Sequence, residues 1–165
     1  MHRLILFGYS EAVHSPRYRD HERPLTETGR MDAERAGARL AELSLAIDLA
    51  IVSDSRRTIE TWEIAGAAFA PHPETRLAAK IYEAERRDLM DLARDTPKSV
   101  RTLMLVGHNP SIVEFAIHFA GRGEHGLLKR LGKGFPTSAI AVFEVEDEDW
   151  RKLRWGDGIL VHYLT

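Results

Sequence analysis

Leu103-Met104-Leu105-Val106-Gly107-His108-Asn109-Pro110 is the stretch on which the fold turns. Four apolar residues run without alternation, the pattern of a strand buried on both faces. Gly107 ends the run. Asn109 suits a helix N-cap, and Pro110 suits the first helical position. Beyond them Ile112, Val113, Ala116, Ile117 and Ala120 recur at the spacing of one helix face. His108 is thereby expected at the carboxyl end of a central strand and at the start of a helix. Open α/β sheets bind ligands at such a place, and helix N-termini attract anions.

Outward from this stretch the chain alternates between the same two patterns. Residues 3–7 form a short apolar run that reads as a second central strand, followed by Gly8-Tyr9-Ser10-Glu11. Residues 12–22 carry Pro16 and charges without period, and read as a loop. Thr26 is the expected N-cap of a helix whose buried face is Ala33, Ala36, Leu40 and Leu43. A strand is expected at 47–52. Ser53-Asp54-Ser55 then caps a helix with Ile59, Trp62, Gly66 and Phe69 on one face, and the small Gly66 suggests close packing. A weaker strand is expected at 77–82, and a helix at 85–94 with Leu89, Leu92 and Ala93 inward. Residues 121–134 are glycine-rich and basic, with a short helix at 124–131. A strand follows at 138–145, then an acidic turn, and a last strand within 153–164 interrupted at Gly156-Asp157-Gly158. Strands alternating with helices imply one three-layer α/β/α domain over 1–165, with a mixed, mostly parallel sheet.

The 165 residues are 44% hydrophobic and 29% charged, with net charge −2. That balance provides no broad basic field and argues against general nucleic-acid binding. Cysteine is absent, so neither a disulfide nor a thiolate metal site is expected. The eight histidines form no HExxH pattern, and neither metal nor cofactor is called for. No apolar run is long enough for a bilayer, and Met1 to Phe7 is too short for a signal peptide, so the expected compartment is the cytoplasm.

Three strand ends carry chemistry. The first is Gly8-Tyr9-Ser10-Glu11, the second leads through Ser53 to Arg57, and the third is His108. In a doubly wound sheet such ends converge on one crevice. An arginine fork and a histidine at two helix starts would cradle an oxyanion, with Ser10 and Asn109 as further donors. Glu83 is the candidate acid. A carboxyl beside a phosphate site is disfavoured as an anion and is suited to hand over a proton.

Four motifs in order, Arg23-Pro24-Leu25-Thr26-x-x-Gly29, Ser53-x-x-x-Arg57-x-x-x-Thr61, Tyr82-Glu83-Ala84 and Val106-Gly107-His108-Asn109-Pro110, resemble the histidine phosphatase superfamily. Within it the short bacterial phosphohistidine phosphatases are most similar, sharing a segment like Gly134-Phe135-Pro136-Thr137-Ser138. The resemblance implies a phosphoglycerate-mutase-like fold without a required metal. It also implies a histidine after the first strand that attacks the phosphoryl group, with two arginines and a second histidine holding its oxygens. Arg57 and His108 match the second arginine and the second histidine.

The departure lies at the first strand. Where the family has Arg-His, this chain has Gly8-Tyr9. A phenol keeps its proton near neutral pH and is a poor nucleophile. Loss of one charged clamp on a transition state costs on the order of 10²-fold or more. The expectation is a phosphoryl- or oxyanion-binding protein with hydrolysis lost or much reduced, its partner a phosphorylated protein or small phosphorylated ligand. Two alternatives stand beside it: an active phosphatase with an altered nucleophile (Tyr9 itself, or His14 or His21 from the following loop) and a non-catalytic interaction scaffold.

Overall fold

The computed structural model describes residues 1–165. A single seven-stranded sheet runs through it in the order β3-β2-β4-β1-β6-β7-β5. Its strands are β1 (His2–Gly8), β2 (Leu49–Ser53), β3 (Glu74–Ala78), β4 (Thr102–Gly107), β5 (Ala120–Gly123), β6 (Ile140–Val145) and β7 (Gly158–Leu164). β3, β2, β4 and β1 are mutually parallel, β6 is antiparallel to both its neighbours, and β5 lies parallel to β7. The sheet is therefore mixed but mostly parallel, as the sequence implies.

The uninterrupted apolar runs acquire their meaning here. Along β1 and β4, Leu4, Leu6, Leu103 and Leu105 point into one core, while Ile5, Phe7, Met104 and Val106 point into the other. Every one of these residues is buried because helices cover both faces. On one side lie α1 (Glu27–Glu42) and α2 (Arg56–Gly66), contributing Ala36, Leu40, Trp62 and Ala65. On the other lie α3 (Arg86–Arg94), α4 (Ser111–Phe119) and α5 (His125–Gly132), contributing Leu89, Met90, Ala93, Ile112, Phe115, Phe119 and Leu131. α1 and α2 approach closely because Gly37 packs against the backbone of Ala65, where an added Cβ would stand 2.3 Å from a carbonyl oxygen.

Several element boundaries differ from the sequence reading. The third strand lies at Glu74–Ala78 rather than 77–82, and 79–81 form a 3-10 turn. As an edge strand with mostly exposed residues, it has no apolar run to mark it. Phe69 lies beyond the end of α2 and Leu43 is the C-cap of α1, though both still pack partly buried against the core beneath these helices. Asn109 does not cap α4. Pro110 occupies the N-cap, and the Asn109 side-chain amide donates to the Phe135 carbonyl at 2.7 Å. The buried face of α4 is Ile112, Phe115, Ala116 and Phe119, whereas Ile117 is exposed and Ala120 opens β5. The last strand begins only at Gly158. No helix is long and apolar enough to cross a membrane.

Candidate functional site

The register of β1 on β4 builds the site. Gly8 pairs with Gly107, so Tyr9 and His108 leave adjacent strands at the same level. Their ring centroids are 5.4 Å apart. Gly107 allows a close approach, since a Cβ there would stand 2.9 Å from the Ile81 side chain and force it to shift. On the other flank of β4, β2 ends at Ser53, and Ser55 caps α2 by accepting from the Thr58 amide at 3.4 Å. Arg57, the second residue of α2, reaches back over the strand ends to His108.

Arg57 and His108 are both 6% exposed and meet directly. Arg57 NH2 donates to His108 Nδ1 at 3.3 Å, and His108 Nε2 lies 2.8 Å from Ser53 Oγ and 3.5 Å from Ser55 Oγ. Burial, and after it the Arg57 charge, push His108 down to about 4. The guanidinium carbon lies 4.9 Å from the Tyr9 ring centroid and 5.8 Å from that of Tyr82, so two phenols wall the cation. Arg57 Nε is buried without a hydrogen-bond acceptor.

Asp20 completes the centre. Its main-chain carbonyl accepts from Arg57 NH1 at 2.7 Å, and its Oδ2 accepts from Arg57 NH2 at 3.1 Å and from the Tyr82 hydroxyl. The Tyr82 hydrogen bond and the Arg57 charge outweigh desolvation and hold the Asp20 carboxyl at about 2. The Tyr82 hydroxyl is correspondingly pushed up, first by burial and then by Asp20. His21 packs edge-on against Tyr82 at 4.7 Å, with its Nε2 2.9 Å from Asp54 Oδ1.

Of the residues singled out in sequence, the structure brings together Tyr9, Arg57 and His108. Glu83 follows Tyr82 but is exposed and makes no side-chain hydrogen bond. Ser10 is buried, its amide donating to Thr61 Oγ1 at 2.9 Å and its hydroxyl 2.5 Å from that of Ser138. The polar groups of Ser10 and Asn109 thus hold the 134–138 segment against the strand ends. His14 is exposed. Asp20 and Tyr82 enter the centre without an expected role, and Ser53, expected as a helix cap, instead meets His108 Nε2. Tyr82 lay inside a quoted motif, whereas Asp20 fell in an aperiodic charged loop and carried no signal. No cluster of three His, Asp or Glu side chains is placed to ligate a metal. A buried arginine fork, a neutral imidazole and a phenol can bind an oxyanion through charge-assisted hydrogen bonds.

Comparison with known proteins agrees with this geometry. Residues 8–96 match the histidine phosphatase superfamily (branch 1). An uncharacterised protein of Mycobacterium tuberculosis is 31% identical over 146 residues, 87% of this chain and 89% of that protein. A crystal structure provisionally assigned as the phosphohistidine phosphatase SixA of Agrobacterium tumefaciens superposes with TM-score 0.83 at 26% identity, covering 99% of this chain and 97% of that one. The protein histidine phosphatase SixA complexed with tungstate shares the fold at TM-score 0.74 and 18% identity, over 99% and 96% of the two chains.

Proposed function

The chain belongs to the histidine phosphatase superfamily, and from that premise we propose that it binds a phosphoryl group or similar oxyanion at Arg57 and His108 with hydrolysis lost or much reduced. One observation carries this reading: the residue that leaves β1 against both Arg57 and His108 is Tyr9, its phenol ring 5.4 Å from the imidazole and 4.9 Å from the guanidinium carbon. A phenol in that place provides no ready nucleophile, and Gly8 beside it provides no second cation. Arg57 remains the charged clamp, with His108 beside it and the α2 N-terminus adding its partial charge. The ligand is a phosphorylated protein or small phosphorylated molecule, bound by the 165 residues as one domain of a cytoplasmic protein.

Calorimetric titration with sulfate or tungstate tests this. Binding is expected at millimolar concentration and should be lost in Arg57→Ala. Absence of heat in the folded wild-type protein would favour an interaction scaffold. A second reading, an active phosphatase with an altered nucleophile, draws support from His21, which is oriented by Asp54 and packed on Tyr82 beside the centre. It requires turnover that disappears in His21→Ala.

A further inference from the structure

Three donors from separate parts of the chain converge on the Asp20 carboxylate. Arg57 NH2 donates to Oδ2 at 3.1 Å, the Tyr82 hydroxyl donates to the same oxygen, and Arg23 NH1 donates to Oδ1 at 3.0 Å. Two guanidinium groups and a phenol around one anion are a donor set suited to a phosphoryl group. Here the chain's own carboxylate fills it. Arg57 NH2 spends its other proton on His108 and NH1 donates to the Asp20 carbonyl, so an incoming anion meets a fork already engaged.

The arrangement is lopsided in exposure. The Arg57 side chain is 7% exposed, whereas that of Asp20 is 55% exposed. Asp20 therefore sits on a buried cation from the solvent side and can leave without disturbing the core. The loop that carries it is tied at its base, where Ala12 bridges Leu25, Val13 N donates to Pro24 O at 2.8 Å, and Arg23 Nε donates to Val13 O at 2.8 Å. At its tip, Asp20 and the His21–Asp54 contact fasten it to the cleft. Between base and tip, the hydrogen bonds of Ser15, Arg17, Tyr18 and Arg19 stay within the loop.

We propose that Asp20 is an internal ligand of the anion site: its carboxylate holds Arg57, Tyr82 and Arg23 until a phosphoryl dianion displaces it and takes over those donors. The proposal rests on the oxyanion-binding reading above. It adds Tyr82 and Arg23 as ligand-binding residues and gives the site a selectivity. A tethered carboxylate competes at high effective concentration. A monoanionic carboxylate or phosphodiester would exchange like for like and gain little. A dianion such as a phosphomonoester or sulfate gains an additional charge interaction with the same donors.

Calorimetry with sulfate and with acetate, on wild type, Asp20→Asn and Asp20→Asn/Tyr82→Phe, tests it. Asp20→Asn should bind sulfate about tenfold tighter, the equivalent of one charge-assisted hydrogen bond, and should gain measurable acetate binding. Adding Tyr82→Phe should reverse most of the sulfate gain. In unmodified protein, saturating sulfate should move the carboxyl carbon resonance of Asp20, which keeps the test open should the variants misfold. Wild-type binding of sulfate with an unmoved Asp20 resonance, or with equal or weaker affinity in folded Asp20→Asn, would overturn the internal-ligand proposal and leave the oxyanion-binding reading standing. Sulfate binding by neither wild type nor folded Asp20→Asn would remove that reading, and the proposal with it.

Discussion

Arg57 NH2 stands 3.3 Å from Nδ1 of His108. A guanidinium cannot accept a hydrogen bond, so Nδ1 carries the lone pair and Nε2 carries the proton, which it donates to Ser53 Oγ at 2.8 Å. Two neighbours of opposite character thus set one tautomer, and the ring is neutral. The cation against the imidazole is Arg57, and the Asp20 carboxylate that matches it is held at its other oxygen by Arg23. An oxyanion entering the site would change that balance, and the consequences are measurable.

Acid should destabilise the fold through His108. Its ordinary value is 6.5, and burial with the Arg57 charge lowers it to about 4. Above the ordinary value it is neutral in both states and contributes nothing. As pH falls from there towards about 4, the unfolded chain takes up a proton that the folded chain refuses, and roughly 3 kcal/mol is lost. Asp20, held at about 2 against an ordinary 3.8, stays ionised over most of this window. Urea denaturation at about pH 7.5 and about pH 4.5 should show the loss in wild type and a smaller loss in His108→Asn. Equal losses would clear His108 as the source.

Sulfate binding should be coupled to proton uptake. An anion beside His108 favours the imidazolium, so affinity should rise severalfold as pH falls from neutral towards the acid side of the histidine range. Sulfate keeps its double charge across that range, so the change belongs to the protein. Calorimetry in buffers of different ionisation heat counts the protons. Affinity independent of pH, with no protons taken up, would contradict the coupling.

On the proposed reading, part of the family's covalent chemistry should be recoverable. Tyr9→His restores an imidazole at the β1 end and should permit slow phosphohistidine formation. Gly8→Arg is harder, because a Cβ at Gly8 would stand 3.3 Å from the Phe135 ring, and the cavity between Gly8, Tyr9 and Phe135 holds only about 30 Å³. The double variant should be destabilised by about 1–3 kcal/mol through overpacking, yet hydrolyse aryl phosphates faster than Tyr9→His alone. A folded double variant that is no faster would show that the second guanidinium does not reach the site.

Gly37→Ala tests the packing that positions α2, and with it Arg57. The new methyl group would press on the Ala65 backbone rather than on a movable side chain. A loss of about 1–3 kcal/mol is expected, read as a lowered thermal midpoint. An unchanged midpoint would mean that α1 and α2 separate freely.

The sequence made the central strands legible because β1 and β4 are buried on both faces, which leaves apolar runs without polar interruption. It made His108 legible because it directly follows the end of β4, and Arg57 because it lies in the first turn of the helix that follows β2. The edge strand β3 was expected three residues too late because Glu74, Thr75, Arg76 and Leu77 are exposed and show no buried periodicity. Asn109 looked like a cap because its chemistry suits one, but its amide serves the Phe135 carbonyl instead. Asp20 escaped for a deeper reason. Its partners Arg57 and Tyr82 lie 37 and 62 positions away, and nothing in a charged loop marks which carboxylate will meet a buried arginine.

The most direct test of the account is turnover by the unmodified protein on phosphohistidine and an aryl phosphate, with acid-labile phosphate on the protein measured in the same reaction. With Tyr9 against Arg57 and no cation at Gly8, no covalent phosphoprotein should accumulate, and turnover should lie at least about 10²-fold below the ordinary enzyme range. Turnover of roughly 1 s⁻¹ or more would contradict the account and show that this centre, despite its phenol, is a working phosphatase.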